Sequence, residues 1–200
     1  MAGEMPEVQK IALGSGKIYE KEFTTLIADP LAILKEVVKP ENELGCVSGG
    51  ASLEYKTTFK TYKDDLGRTS RTTMTEDEAT LKGGVCTWNA NTLKRICSTA
   101  EVNEDTTHKT RIVSIGGVGN YDAKLYVVVF ENIDKDYGNS YVMIVGNNQK
   151  GITLTYATDK ETVLDPEFSA QAADEQGHKV FYLEPTEKGI DILTFGSQTK

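Results

Sequence analysis

From Ala51 to Lys63 the chain alternates without a break between two kinds of side chain. Leu53, Tyr55, Thr57, Phe59 and Thr61 fall on one side, and Glu54, Lys56, Thr58 and Lys60 on the other. A period of two is that of a half-buried β-strand, and this run exceeds the roughly five or six residues of a typical strand. Asp64-Asp65-Leu66-Gly67 follows, and two Asp with a Gly in so short a span predict a tight turn. The next segment, Arg68 to Thr75, is rich in Thr and Arg and is expected to pair back, giving one long hairpin over 52–76. Strands of this length overreach the body of one small domain. The tip gathers Lys60, Lys63, Asp64, Asp65, Arg68 and Arg71 around Leu66 and Gly67, with little to bury. Such a tip is costly to order alone, so these eight residues are the candidate assembly contacts.

Strand patterns dominate elsewhere too. The segment after Lys17 is strand-like, and Leu81 to Trp88 predicts a short strand softened by Gly83-Gly84. The run Tyr126-Val127-Val128-Val129-Phe130, inside a strand from Leu125 to Ile133, is apolar on both sides and predicts a strand covered on both faces. Further strands are expected at Arg111–Ile115, Ser140–Val145, Gly151–Ala157, Thr162–Ala170 and Lys179–Leu183. The period changes at Leu93, Ile96, Cys97 and Ala100, whose i, i+3, i+4, i+7 spacing predicts an amphipathic helix over Thr92–Glu101, capped by Asn89 or Asn91. That stripe should lie on the sheet with Trp88 near the helix start. A second helix is available from Pro30 to Val38, with Asp29 as cap and Pro40 as stop. The count predicts a mainly β domain, a β-sandwich or barrel with one flanking α-helix over 11–183, preceded by an arm at 1–10. Residues 184–200 read as an arm or loose extension around Ile190, Ile192, Leu193 and Phe195.

No complete catalytic, metal or nucleotide motif is present. His108 and His178 are the only histidines, both among polar residues near predicted turns and without an H-x-x-x-H partner. Gly14-Ser15-Gly16-Lys17 lacks phosphate-loop spacing, since Ile18 follows the lysine, and reads as a turn before the first strand. Gly116-Gly117-Val118-Gly119-Asn120 reads as a loop, and Glu76-Asp77-Glu78 as a solvated face. Cys46, Cys86 and Cys97 are odd in number and lack C-x-x-C spacing, which predicts free buried thiols. No cofactor is expected. The 30 acidic against 22 basic residues leave a formal net charge of −8, which disfavours a nucleic-acid-binding module or an anchor on anionic membranes. No apolar run approaches the roughly 20 residues of a membrane span, and no signal peptide is visible at Met1–Lys10.

Six stretches carry more than composition. They are Leu13-Gly14-Ser15-Gly16-Lys17-Ile18-Tyr19, Ser48-Gly49-Gly50-Ala51-Ser52-Leu53-Glu54-Tyr55, Glu78-Ala79-Thr80-Leu81-Lys82-Gly83-Gly84, Thr87-Trp88-Asn89, Val145-Gly146-Asn147-Asn148-Gln149 and Lys160-Glu161-Thr162-Val163-Leu164-Asp165-Pro166-Glu167-Phe168. In this order they resemble the major tail tube proteins of long-tailed bacteriophages of Gram-positive hosts, over most of the chain. Residues 26–42 fit less well and read as an insertion, and 184–200 as an extension. The resemblance implies a β-sandwich with a flanking helix, assembled through its sheet into hexameric rings that stack into a hollow tube. DNA would pass through without specific binding, and tape measure and terminator proteins would meet the tube ends. It implies assembly in the bacterial host cytoplasm and residence in the virion, with no membrane contact. The hairpin's partner would then be a neighbouring ring. From residues alone, a monomeric β-barrel that binds a small molecule or carbohydrate stands as the alternative, and an enzyme would need an acid–base pair that sequence does not locate.

Overall fold

Backbone pairing, followed from strand to strand, leads around a ring. The computed structural model describes residues 16–156, 158–159 and 161–194. Strand β1 (Gly16–Glu22) lies between β2 (Glu43–Lys63) and β6 (Tyr126–Asn132), and β2 pairs with β3 (Ser70–Val85). β3 continues to β8 (Glu167–Gln171), β8 to β7 (Ser140–Asn148), and β7 returns to β6. All of these pairings are antiparallel, so six strands close on themselves. β9 (Val180–Leu183) pairs with the first half of β7, where β8 does not reach. A separate hairpin joins β4 (Ala100–Asp105) to β5 (Thr110–Ile115).

Each strand of the ring contributes to one apolar cluster. Ile18, Leu44, Leu81, Val85, Val128, Phe130, Ile144 and Phe168 meet there, and Leu93, Ile96 and Cys97 pack onto them from α2 (Ala90–Ile96) and its C-cap. The alternate residues of β1, β6 and β7 point the other way. Tyr19, Val127, Val129, Tyr141, Met143 and Val145 form a second cluster with Ile27 and with Leu34 and Val37 of α1 (Pro30–Val37). The unbroken apolar run in β6 is thereby explained, since both of its faces are covered. Asp29 caps α1 by accepting from the Leu31 and Ala32 amides at 2.9 and 3.3 Å, with Pro30 in the first turn. The segment 26–42 therefore supplies the cover of an outer face. Ile192 and Leu193 also pack against the second cluster, so this part of the expected extension is docked rather than loose.

The expected arm at 1–10, the turn residues Gly14 and Ser15, and Phe195 lie outside the described residues. Several other expectations are corrected. Among the described residues two α-helices flank the sheet rather than one. The expected strand Leu81–Trp88 is the last part of β3 up to Val85, beyond which Cys86 keeps one backbone bond to Cys46 and Thr87 and Trp88 leave the ladder. Helix α2 stops at Ile96, and Cys97 is already extended at φ −109°, ψ 104°. Ser98 and Thr99, residues whose side chains favour turns, separate it from Ala100, which packs against the first cluster from β4 instead. Residues 151–156 form no strand, because β7 already has β6 on one side and β8 with β9 on the other. The strand expected at Thr162–Ala170 is divided. Leu164 makes one bridge to Val85, Pro166 lacks the donor a ladder needs, and β8 begins at Glu167.

The α2 contact generates a direct test. Leu93 is buried and Lys94 exposed on the same helix. Leu93→Ala leaves a cavity worth about 2–5 kcal/mol and should lower the thermal midpoint far more than Lys94→Ala. Comparable shifts in the two melting curves would contradict this packing.

Candidate functional site

The most distinctive surface is the outer part of the β2–β3 hairpin. The ladder runs from Ala51 opposite Gly83 out to Lys63 opposite Ser70. Every residue from Ser52 to Glu76 is exposed. Beyond Thr57 and its partner Asp77 the arm therefore stands free of its own chain. The register puts Leu53, Tyr55, Thr57, Phe59 and Thr61 on one face, as the alternation requires, with Met74 opposite Phe59 and Thr72 opposite Thr61. That face was expected to be half-buried. Instead Tyr55, Phe59 and Met74 are 54%, 60% and 50% accessible, and Leu66 at the tip is 70% accessible. A bulge at Thr75 interrupts the ladder between Thr58 and Phe59, and the Thr75 hydroxyl donates to the Thr58 carbonyl at 3.2 Å.

The tip is organised by Asp64. Its carbonyl accepts from Gly67 N–H at 2.9 Å, its carboxylate from Thr69 N–H at 3.0 Å, and its own amide donates to Thr69 at 3.1 Å. Gly67 has φ 66°, the left-handed conformation that a side chain disfavours. Lys60 lies over the Tyr62 ring at 5.1 Å. Among the described residues no ion pair engages Lys63, Asp65, Arg68 or Arg71. All eight predicted assembly residues thus share one solvent-facing end, held to one another by the turn and the ladder alone.

The root of the arm is fastened at two points. Val47 pairs with Val85, then the ladder skips to Ala51 because Gly49 and Gly50 adopt φ 78° and 83°, a bend open to glycine. On the other strand Asp77 accepts from the Lys179 ammonium at 2.7 Å and from the Tyr55 hydroxyl at 3.3 Å. The Lys179 hydrogen bond holds the Asp77 carboxyl below its usual range. The middle residue of Glu76-Asp77-Glu78 is thus a strut between the arm and the segment before β9.

Buried ionisable groups serve the fold. Glu131 accepts from the Tyr19 hydroxyl at 2.9 Å, Asn139 at 2.8 Å and the Tyr141 hydroxyl at 3.1 Å. Glu20 is less well provided for. Its Oε2 accepts from Arg95 Nε at 3.1 Å, while its buried Oε1 has no hydrogen-bond partner. Arg95 also donates to the backbone carbonyls of Glu20, Asn42 and Glu43, so α2 is tied to β1 and to the entry of β2. Burial pushes the Glu20 carboxyl up to about 8 against the opposing pull of Arg95. No sequence signal marks this pair. His108 and His178 are exposed and hold turns, with Nδ1 at 2.7 Å from Asp105 and 2.6 Å from Asp174. Cys97 is buried, whereas Cys46 and Cys86 are only half-buried, which corrects the expectation of three buried thiols. Trp88 is half-buried beside the first cluster and donates to the Thr162 carbonyl at 3.1 Å. Among the described residues no three His, Cys, Asp or Glu are grouped to hold a metal, and no helix is long and apolar enough to cross a membrane.

The Glu20 pair predicts a pH dependence. Because the folded-state carboxyl binds its proton more tightly than the unfolded one, its stabilisation is complete below the ordinary 4.5 and is lost as pH rises through about 8. Glu20→Gln should therefore flatten the fall of the melting midpoint over that window; an unchanged pH profile would contradict the assignment. Compared with protein-family models and with curated proteins, the chain matches none.

Proposed function

We propose that this chain is a structural subunit that assembles with copies of itself into hexameric rings, stacked as the tail tube of a long-tailed bacteriophage. The tube would be the conduit for genomic DNA, and tape measure and terminator proteins would meet its ends. The observation that carries the reading is the arm. A two-stranded ribbon with an exposed aromatic face is poorly stabilised alone, because it has nothing on which to bury that face. Its two outer edges also leave backbone donors and acceptors unpaired. A second copy of the chain meets both needs, and a head-to-tail contact repeated around an axis closes a ring or continues a stack. The resemblance carried by the six sequence stretches gives that assembly its identity.

Charge fits the same role. Lys60, Lys63, Arg68 and Arg71 face only Asp64 and Asp65 at the arm's end, in a chain of net charge −8. The tip is thus suited to an acidic surface on another copy, and mixed charges set register more than affinity, at about 0–1 kcal/mol per exposed pair. An acidic wall would let duplex DNA slide, within the roughly 8 Å over which physiological salt leaves charges unscreened. A ligand-binding barrel has less support, since the residues that the six strands send inward fill the ring with Phe130, Phe168 and Leu81.

Purified protein at high concentration should form rings or tubes in negative-stain micrographs. Replacing Phe59 and Met74 together by Ser should leave the melting midpoint near that of the parent, since both are exposed, while tube growth fails. Long tubes from this variant would remove the arm from the interface, and a persistent monomer from the parent would favour the ligand-binding reading. Dispersed protein should show no duplex-DNA affinity tighter than micromolar at physiological salt, measured by fluorescence anisotropy.

A further inference from the structure

Cys46 and Cys86 sit directly across from one another at the root of the arm. Val47 pairs with Val85, and the next residues in that register, on the side away from the arm, are the two cysteines. The Cys86 amide donates to the Cys46 carbonyl at 2.9 Å, and the Cys86 thiol reaches the same carbonyl at 3.3 Å. Val47 and Val85 turn into the first cluster, so by alternation both cysteines face the outside of the ring. The Cys46 amide donates to the Thr87 hydroxyl at 2.8 Å, so the two cysteines keep one of the two bonds of a hydrogen-bonded antiparallel pair, whose Cα atoms lie about 5.5 Å apart, within the roughly 4.4–6.8 Å that a disulfide spans. Both thiols are half-buried and free, whereas Cys97 is buried in the core. Lys17 pairs with Cys46 across β1 and β2, and its ammonium interacts with that side chain.

We propose that Cys46 and Cys86 form a reversible cross-strand disulfide that fixes the root of the arm under oxidising conditions. The oxidant is a low-molecular-weight disulfide. The Cys46 thiolate attacks one of its sulfurs and expels one thiolate, forming a mixed disulfide. The Cys86 thiolate then attacks Cys46 Sγ and expels the second. Two protein thiols are oxidised, one small disulfide is reduced to two thiols, and the two protons that the cysteines give up end on those two thiols. The bond would sit on the body side of the Val47–Val85 pair, just inboard of the Gly49–Gly50 bend, and would close a loop containing the whole arm. Such closure restricts the unfolded chain and stabilises the folded one. The chemistry is local to one chain and holds whether or not copies assemble.

The test uses the full chain, dispersed at low concentration and folded, with excess oxidised glutathione. Intact mass should fall by two hydrogens, peptide mapping should join Cys46 to Cys86, and Cys97 should remain a free thiol. The thermal midpoint should rise on oxidation and return on reduction. In Cys86→Ser the same reagent should instead leave a glutathione adduct on Cys46 and no gain in midpoint. Unreacted thiols, a lasting adduct on either cysteine of the parent chain, a bridge to Cys97 or a cross-linked dimer would each overturn the proposal. Because the readout is a monomer's own thiols, its failure is distinct from failure to form tubes.

Discussion

The pairing of β6 with β7 makes the sheet a ring. It runs without a register break from Tyr126 opposite Gly146 to Asn132 opposite Ser140. Removing it would leave both strands with open edges in the most apolar part of the chain, where pairing with foreign strands is a hazard. Closure satisfies those backbone groups internally and gives the protein an inside. Ile18, Val128, Phe130 and Ile144 can then converge with α2, while Tyr19, Val127, Val129 and Met143 need a separate cover, which α1 and the C-terminal segment provide.

Period was legible in the sequence, and partnership was not. Leu53 to Thr61 declared the face on which each side chain lies, and the pairings agree residue by residue. Of the two candidate caps, Asn89 and Asn91, the structure uses Asn89, which forms a capping box with Thr92 and starts α2 at Ala90, two residues before the expected start. The same alternation at Ile152, Leu154 and Tyr156 yielded no strand, since an alternating segment also needs a free edge and the closed ring offers none there. Likewise, the apolar side of 52–63 carried no sign of whether its cover comes from within the chain. β4 escaped notice because Ala-Glu-Val-Asn-Glu-Asp has one β-branched residue and a surplus of acid, and is held by its pairing with β5.

The two buried glutamates show how differently one residue type is housed. Glu131 is met by three donors from β1, β7 and the turn between β6 and β7, so its desolvation is offset by hydrogen bonds. Glu20 has one charged partner and one bare oxygen. A buried pair of that kind adds little net stability over an apolar pair, but removing one member leaves the other exposed to the full cost of burial. Arg95 offsets part of this by gathering carbonyls from the ends of β1 and β2, which gives α2 one orientation on the ring.

The glycine bend at the base of the arm has a mechanical consequence. Beyond the Asp77–Lys179 strut, which sits opposite Thr57, the ribbon extends from Thr58 to Lys63, about 20 Å at roughly 3.3 Å per residue. It is a cantilever clamped at Asp77–Lys179 on one strand and able to flex at Gly49–Gly50 on the other. A rotation of about 10° at that strut carries the Leu66 end through roughly 3–4 Å, close to the spacing of one residue along a strand. The compliance of one short segment therefore governs how far the distant tip can search.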